Sequence, residues 1–274
     1  MEEKQKIIRA AIVILIVLVL GISAYYYFFS AREKKSAGET ASAPIEKSTA
    51  AVPEVKDAVP AVLLGASLDA SDEAVRTLMG EISRNPVLAR WLRSKDLIRR
   101  FTAAVDNIAL GQSPRVQFDF FAPAGPFKTV VRAGQTYLDP ASFSRYDVVA
   151  DVFDSLSPEG CARAYAACRG LLQQAYRDLG YPAGDFHQTL YRAIVEILRT
   201  PVVEDPIAVE KNITTFLIKD PRLEELDEVQ KHLLRMGPEN LQLIQVKLRE
   251  IALGLGFTEA QLPVPRPYRK IPTP

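Results

Sequence analysis

Twenty consecutive residues, Ala10 to Phe29 (AAIVILIVLVLGISAYYYFF), carry no charge, with Lys4, Lys6 and Arg9 before them and Arg32, Lys34 and Lys35 after them. As a helix rising about 1.5 Å per residue, the run covers the roughly 30 Å of a bilayer hydrocarbon core. Tyr25, Tyr26 and Tyr27 place amphipathic rings where one interface would lie. A cleaved export signal needs a shorter apolar core and a small-x-small cleavage site, and here bulky Tyr and Phe stand in that place. The run therefore reads as a retained single transmembrane helix, and everything after it as hung from a membrane. The basic residues on the two sides are tied, so charge alone sets no orientation. A tiny tail followed by a long exported domain is the usual signal-anchor arrangement, which favours the N-terminus inside and the C-terminal domain outside.

The expected organisation is a tail at 1–9, a transmembrane helix at 10–29, a tether at 30–64, a helical domain at 65–256 and a Pro-rich basic tail at 257–274. From Ser36 to Pro60 the composition shifts to Ala, Ser, Thr, Glu, Lys and Pro, with few large apolar residues and no helical or strand period, a composition that spans distance without burying much. About 190 residues remain for one domain with a sizeable core. The formal net charge is +1. Such a balance supplies no general positive field, so nucleic acid is not an expected partner.

Within the domain, apolar spacing predicts mainly helices. Val75, Leu78, Met79 and Ile82 form one face; Pro86 opens a short helix carrying Trp91 and Leu92; Leu97, Ile98, Phe101, Val105 and Ile108 form a stripe with Ser94 as its cap. A period of two over Val116, Phe118 and Phe120 predicts a strand, and residues 127–132 and 135–138 flank Ala133-Gly134 as a hairpin. Asp139-Pro140 and Ser157-Pro158 each open a helix, the second carrying Tyr165, Cys168, Leu172, Ala175, Tyr176 and Leu179. Asp185 caps the next. Residues 207–218 are ambiguous, and two closing helices, Pro221 to Met236 and Pro238 to Leu253, meet at Gly237. The fold class is mainly α, with a transmembrane helix, a tether, and a compact multi-helix domain bearing a small antiparallel hairpin or sheet.

The residues yield no catalytic, cofactor or metal motif. Cys161 and Cys168, seven apart on one helix, would have Cα atoms about 10.5 Å apart, too far for a disulfide. His187 and His232 stand alone, and no phosphate-loop sequence is present. The densest polar group is Asp96, Arg99, Arg100, Asp106 and Asn107, readable as an anion or carboxylate cleft or as a solvated face laced with pairs such as Asp96 with Arg100. Arg235, Glu239 and Asn240 flank the Gly237-Pro238 corner, either fastening it or projecting as a recognition surface. These eight residues are the candidate interaction surface.

The stretch from Asp96 to Ala109, then Gly125-Pro126-Phe127, and above all Arg235-Met-Gly-Pro-Glu-Asn240 resemble a bacterial family known only as a domain of unknown function. The resemblance covers roughly residues 65–253. It implies a single-span bacterial envelope protein, placed with the orientation above in the inner (cell) membrane with its C-terminal domain in the periplasm, and carries over no catalytic residues. The combined expectation is a membrane-anchored, non-enzymatic module that binds an envelope protein or cell-wall component, with no cofactor. The competing expectation is an anchored hydrolase using carboxylates and arginines near Asp96. Oligomeric state is left open by the sequence.

Overall fold

The computed structural model describes residues 66–117, 125, 127–213, 215–265 and 268. The apolar run 10–29, the tail before it and the tether 30–64 lie outside the described residues. Among the described residues, no helix is long and apolar enough to cross a membrane.

A short helical turn, Leu68–Ala70, leads into α1, Asp72–Ile82, α2, Pro86–Trp91, and α3, Leu97–Ala109. The hairpin β1, Thr129–Arg132, and β2, Gln135–Leu138, follows. A 3-10 turn at Pro140–Tyr146 feeds α4, Asp147–Asp154, then α5, Pro158–Asp178, and α6, Phe186–Arg199. A second hairpin pairs β3, Val209–Lys211, with β4, Phe216–Ile218. The chain closes with α7, Pro221–Glu224, α8, Glu228–Leu234, and α9, Pro238–Gly254.

Most helix starts follow from local chemistry. Asn85 Oδ1 accepts from Val87 N at 2.9 Å, Asp139 Oδ1 from Ala141 N at 2.9 Å and Ser157 Oγ from Gly160 N at 3.0 Å, each just before a proline whose missing amide costs nothing there. Asp185 caps α6 in the same way, its Oδ1 accepting from His187 N at 2.9 Å. The start of α3 corrects the sequence expectation. Ser94 does not cap it; Asp96 adopts a left-handed conformation with φ 57°, and Asp72 on α1 accepts from Asp96 N at 3.0 Å and from Leu97 N at 2.9 Å. The cap comes from another helix, so no local window contains it.

The first hairpin is as expected, with Thr129 opposite Leu138 and Arg132 opposite Gln135. Ala133 and Gly134 turn it at φ 46° and 76°, the doubly left-handed geometry of a two-residue turn. The ambiguous stretch after Ile207 is the second hairpin, tied to the first where Leu138 N donates to Ile207 O at 3.0 Å. The expected strand at 116–120 is not seen over its first part, since Arg115–Gln117 form a turn; Phe118 and Phe120 lie outside the described residues. The expected helix from Pro221 to Met236 is broken into α7 and α8. Asp220 caps the first piece through Arg222 N, and the break leaves Val229 N free to donate to Gly111 O at 3.1 Å.

The main core joins α1, α3, α5, α6 and α9 through Val75, Leu78, Ile98, Val105, Leu172, Phe186, Ile194 and Ile251. A second cluster lies between the hairpins and α8, around Leu138, Val209, Ile218 and Leu234. A third, Tyr146, Val149, Ala150, Met236 and Ile244, binds α4 to α9. Two expected core residues face outward: Leu179 is 45% exposed and Phe101 40%. Thr102 replaces Phe101 inside, its hydroxyl donating to Ile98 O at 2.8 Å so that no polar atom is stranded.

The boundary expected at residue 256 also moves. Phe257 and Leu262 are buried in the main core, and each such side chain contributes about 1.5–3 kcal/mol of burial. Further along, Tyr268 lies against Arg222, the guanidinium 4.8 Å from the ring centre. Phe257, Leu262 and Tyr268, all within the expected tail, therefore pack on the domain.

Candidate functional site

The corner between α8 and α9 begins with a backbone requirement. Gly237 has φ 85° and Pro238 occupies the first turn of α9, so the chain reverses within two residues. Asn240, one turn into α9, is buried, and its Nδ2 lies 3.1 Å from Phe143 O, 3.0 Å from Asp147 Oδ1 and 3.0 Å from Met236 O. It ties three segments together: the 3-10 turn, α4 and the end of α8. Glu239 is exposed beside it. Of the three corner residues, Asn240 acts inside the fold, Glu239 faces solvent, and Arg235 is half-buried at the C-terminal end of α8.

Arg235 has charged and polar company that periodicity did not reveal. One turn back on α8, His232 Nδ1 lies 3.0 Å from Ser113 Oγ, and its ring meets Tyr146 edge-on at 6.3 Å. Burial, reinforced by Arg115 and Arg235, pushes the His232 imidazole down to about 4. Arg235 is itself lowered, first by burial and then by Arg115, while Tyr146 and Glu224 act in its favour. Among the described residues, no hydrogen bond or ion pair joins the Arg115 or Arg235 guanidinium to another side chain. Glu224, whose charge acts on Arg235, is engaged elsewhere, accepting from Lys231 Nζ at 3.2 Å and Ile218 N at 2.8 Å.

The Ser113–His232 distance is that of a nucleophile and its base, but the electrostatics oppose that chemistry. A serine base must become imidazolium in the transition state. Here burial and two guanidinium groups disfavour that cation, and no described carboxylate accepts from the other ring nitrogen. The arrangement suits holding an anion better than moving a proton.

The polar residues of α3 do not converge. Arg99 pairs with Asp69 at 2.7 Å and reaches Asp96 at 3.4 Å, at the N-terminal end of the helix. Arg100 donates through Nε and Nη2 to Gln117 O at 2.9 and 2.7 Å, and Asn107 Nδ2 donates to Gln117 Oε1 at 3.0 Å. Asp106 turns to another element, accepting from the Tyr181 hydroxyl at 3.1 Å, and burial raises its carboxyl. The Asp96–Arg100 pair considered from spacing gives way to these partners.

A different carboxyl pair, Glu196 on α6 and Asp227 before α8, is brought together from distant parts of the sequence. Burial, the Asp227 charge and a shared hydrogen bond push the Glu196 carboxyl up to about 7. The cysteines are reduced and unpaired, and burial pushes both thiols up to about 11, leaving little thiolate at neutral pH. His187 is a core residue stacked 4.7 Å from Phe257, with Nδ1 3.0 Å from the Tyr165 hydroxyl. Among the described residues, no group of three or more His, Cys, Asp or Glu could hold a metal. A cleft lined by Tyr137, Phe143, Asp205, Pro206 and Leu234 measures about 80 Å³, well below the ~300 Å³ at which small-molecule pockets begin.

The family model described as Protein of unknown function (DUF3014) matches residues 97–252, more than half of the chain. The chain belongs to that family. Among the curated proteins and among the solved structures, no relative matches. The DUF3014 region takes in α3 through nearly all of α9, and with them Ser113, Arg115, His232, Arg235 and Asn240. It leaves out α1, which caps α3, and Phe257, which completes the core.

His232 was within reach of sequence reasoning, because it precedes Arg235 by three positions and shares its helix face. Ser113 and Arg115 were not, since they sit in a loop with no period to mark them.

Proposed function

We propose that this DUF3014 protein is a bitopic inner-membrane protein of the bacterial envelope whose helical domain, on the periplasmic side, binds an envelope protein or cell-wall component without transforming it. The observation that carries the reading is the uncharged run Ala10–Phe29, followed by a Pro/Ala-rich tether and then a folded domain. Such a tether raises the concentration of the domain near the bilayer and asks no chemistry of the anchor. The hydrolase alternative near Asp96 has less support, because Arg99 is engaged by Asp69 and Asp96 while Asp106 turns to Tyr181.

The test has two readouts on the full-length protein. Protease added to spheroplasts should remove the C-terminal domain while a cytoplasmic marker survives; protection of the domain would reverse the orientation. Cross-linking in cells, followed by capture, should recover one abundant envelope partner from the native chain and much less from Arg235→Glu. Recovery of no specific partner from either chain would reject the binding reading.

A further inference from the structure

Three separated stretches meet beside the C-terminal end of α8: the loop carrying Ser113 and Arg115, the helix face carrying His232 and Arg235, and Tyr146 at the start of α4. We propose that Ser113, Arg115, His232 and Arg235 form a binding site for a phosphate-class oxyanion. This site goes beyond the tethered-binder reading and does not depend on the compartment.

The argument is one of charge and donors. Arg115 and Arg235 bring two positive charges close enough to perturb the same imidazole, and among the described residues neither guanidinium is ion-paired. Glu224 is engaged with Lys231 and with the backbone of β4. The partial negative charge at the end of α8 favours Arg235 there and opposes a bound anion, so the two guanidinium groups must outweigh it. A partly buried guanidinium without a counter-ion is costly, and a bound anion relieves that cost.

A phosphate dianion matches the two charges, whereas a single carboxylate leaves one uncompensated. Arginine forks fit phosphate oxygens in pairs. His232, held neutral, adds no third charge, and because it shares a hydrogen bond with Ser113, one of the pair donates to the anion, either the Ser113 hydroxyl or the far ring nitrogen. The phosphate itself comes either from a soluble phosphate ester or from a lipid headgroup of the bilayer.

The two histidines provide an internal control. Bound phosphate, largely a dianion near pH 7 and a monoanion where His232 titrates, would offset the Arg115 and Arg235 charges acting on His232, so its imidazole should titrate at higher pH, while His187, stacked on Phe257 in the core, should not move. The experiment follows both rings by NMR in the full-length chain, in a neutral detergent at low ionic strength near pH 7, with inorganic phosphate and then methyl phosphate added. We expect a saturable change at His232 alone, a rise in its titration midpoint, and binding weakened at least about tenfold in Arg115→Gln and in Arg235→Gln.

Arg115 is exposed on a loop, so Arg115→Gln keeps the test valid if Arg235→Gln unfolds. Nanodiscs of zwitterionic lipid compared with nanodiscs containing phosphatidic acid, whose phosphomonoester can carry two negative charges, separate the sources. A response to the anionic bilayer assigns the lipid headgroup, and a response to soluble phosphate alone assigns a soluble ester. The site is refuted by the lack of a saturable response at His232, by an equal response in Arg115→Gln, or by acetate binding as well as phosphate. Such a failure leaves partner capture in cells untouched, and a failure of capture leaves this titration untouched.

Discussion

A Cβ placed on Gly237 would lie 2.5 Å from Cγ of Phe143. The aromatic ring fills the space that a side chain would need, and the φ of 85° is one that L residues adopt only with strain. The chain reversal and the packing of the 3-10 turn therefore demand glycine together. Gly237→Ala should destabilise the domain by about 2–3 kcal/mol, read as a lowered urea midpoint with an unchanged slope. Phe143→Ala in the same background should recover part of the loss if the contact is a main source of it, and none if backbone strain alone is responsible.

The neighbouring polar residues separate by role. Asn240→Ala leaves Met236 O short of a donor in a buried place and frees Phe143 O and the exposed Asp147 from the corner, and should cost about 1–3 kcal/mol of stability. Glu239→Ala, on the exposed side, should stay within about 0.5 kcal/mol of the native chain. Thermal melts of the two single variants check both expectations. If Asn240→Ala melts with the native protein, the amide is not fastening the corner.

Two groups impose opposite pH dependence over overlapping ranges. His232 titrates near 4 when folded against an ordinary 6.5, so as pH falls from 6.5 the unfolded chain binds a proton that the folded one refuses, and stability is lost. His187 is lowered too and acts in the same direction. Glu196 titrates near 7 when folded against an ordinary 4.5, so stability is lost as pH rises between those values. Glu196 faces Asp227 and Arg199; His232 faces Arg115 and Arg235. The native chain should show a shallow profile between pH 4.5 and 6.5, the range common to both shifts. Glu196→Gln should leave a profile rising with pH, and His232→Gln should tilt it toward a fall. Urea midpoints across this range test the signs, and a Glu196→Gln profile parallel to the native one would mean that the carboxyls share no proton.

Much of the fold was legible because its signals are local. Asn85, Asp139, Ser157 and Asp185 announce helix starts through their own neighbours, and Ala133-Gly134 announces a hairpin. The signals failed where the partner is remote. Asp72 caps a helix on the far side of α2, Leu179 keeps the right period yet runs past the edge of the core, and the broken α7–α8 segment answers to Gly111. The candidate site divides along the same line. The Gly237-Pro238 corner could be read from two residues, whereas the Arg115–His232–Arg235 grouping exists only once a loop after α3 has been laid beside α8.

The cap that Asp72 places on α3 means that similarity and folding draw different borders on this chain. The matched stretch opens at Leu97, the first residue of a helix whose end amides are satisfied from 25 positions upstream. A polypeptide cut to 97–252 would start with those amides bare and would lack Val75, Leu78, Phe257 and Leu262 from its interior. The smallest piece able to fold as a unit is wider than the family region at both ends, and α1 belongs to the globule as fully as any helix within the match.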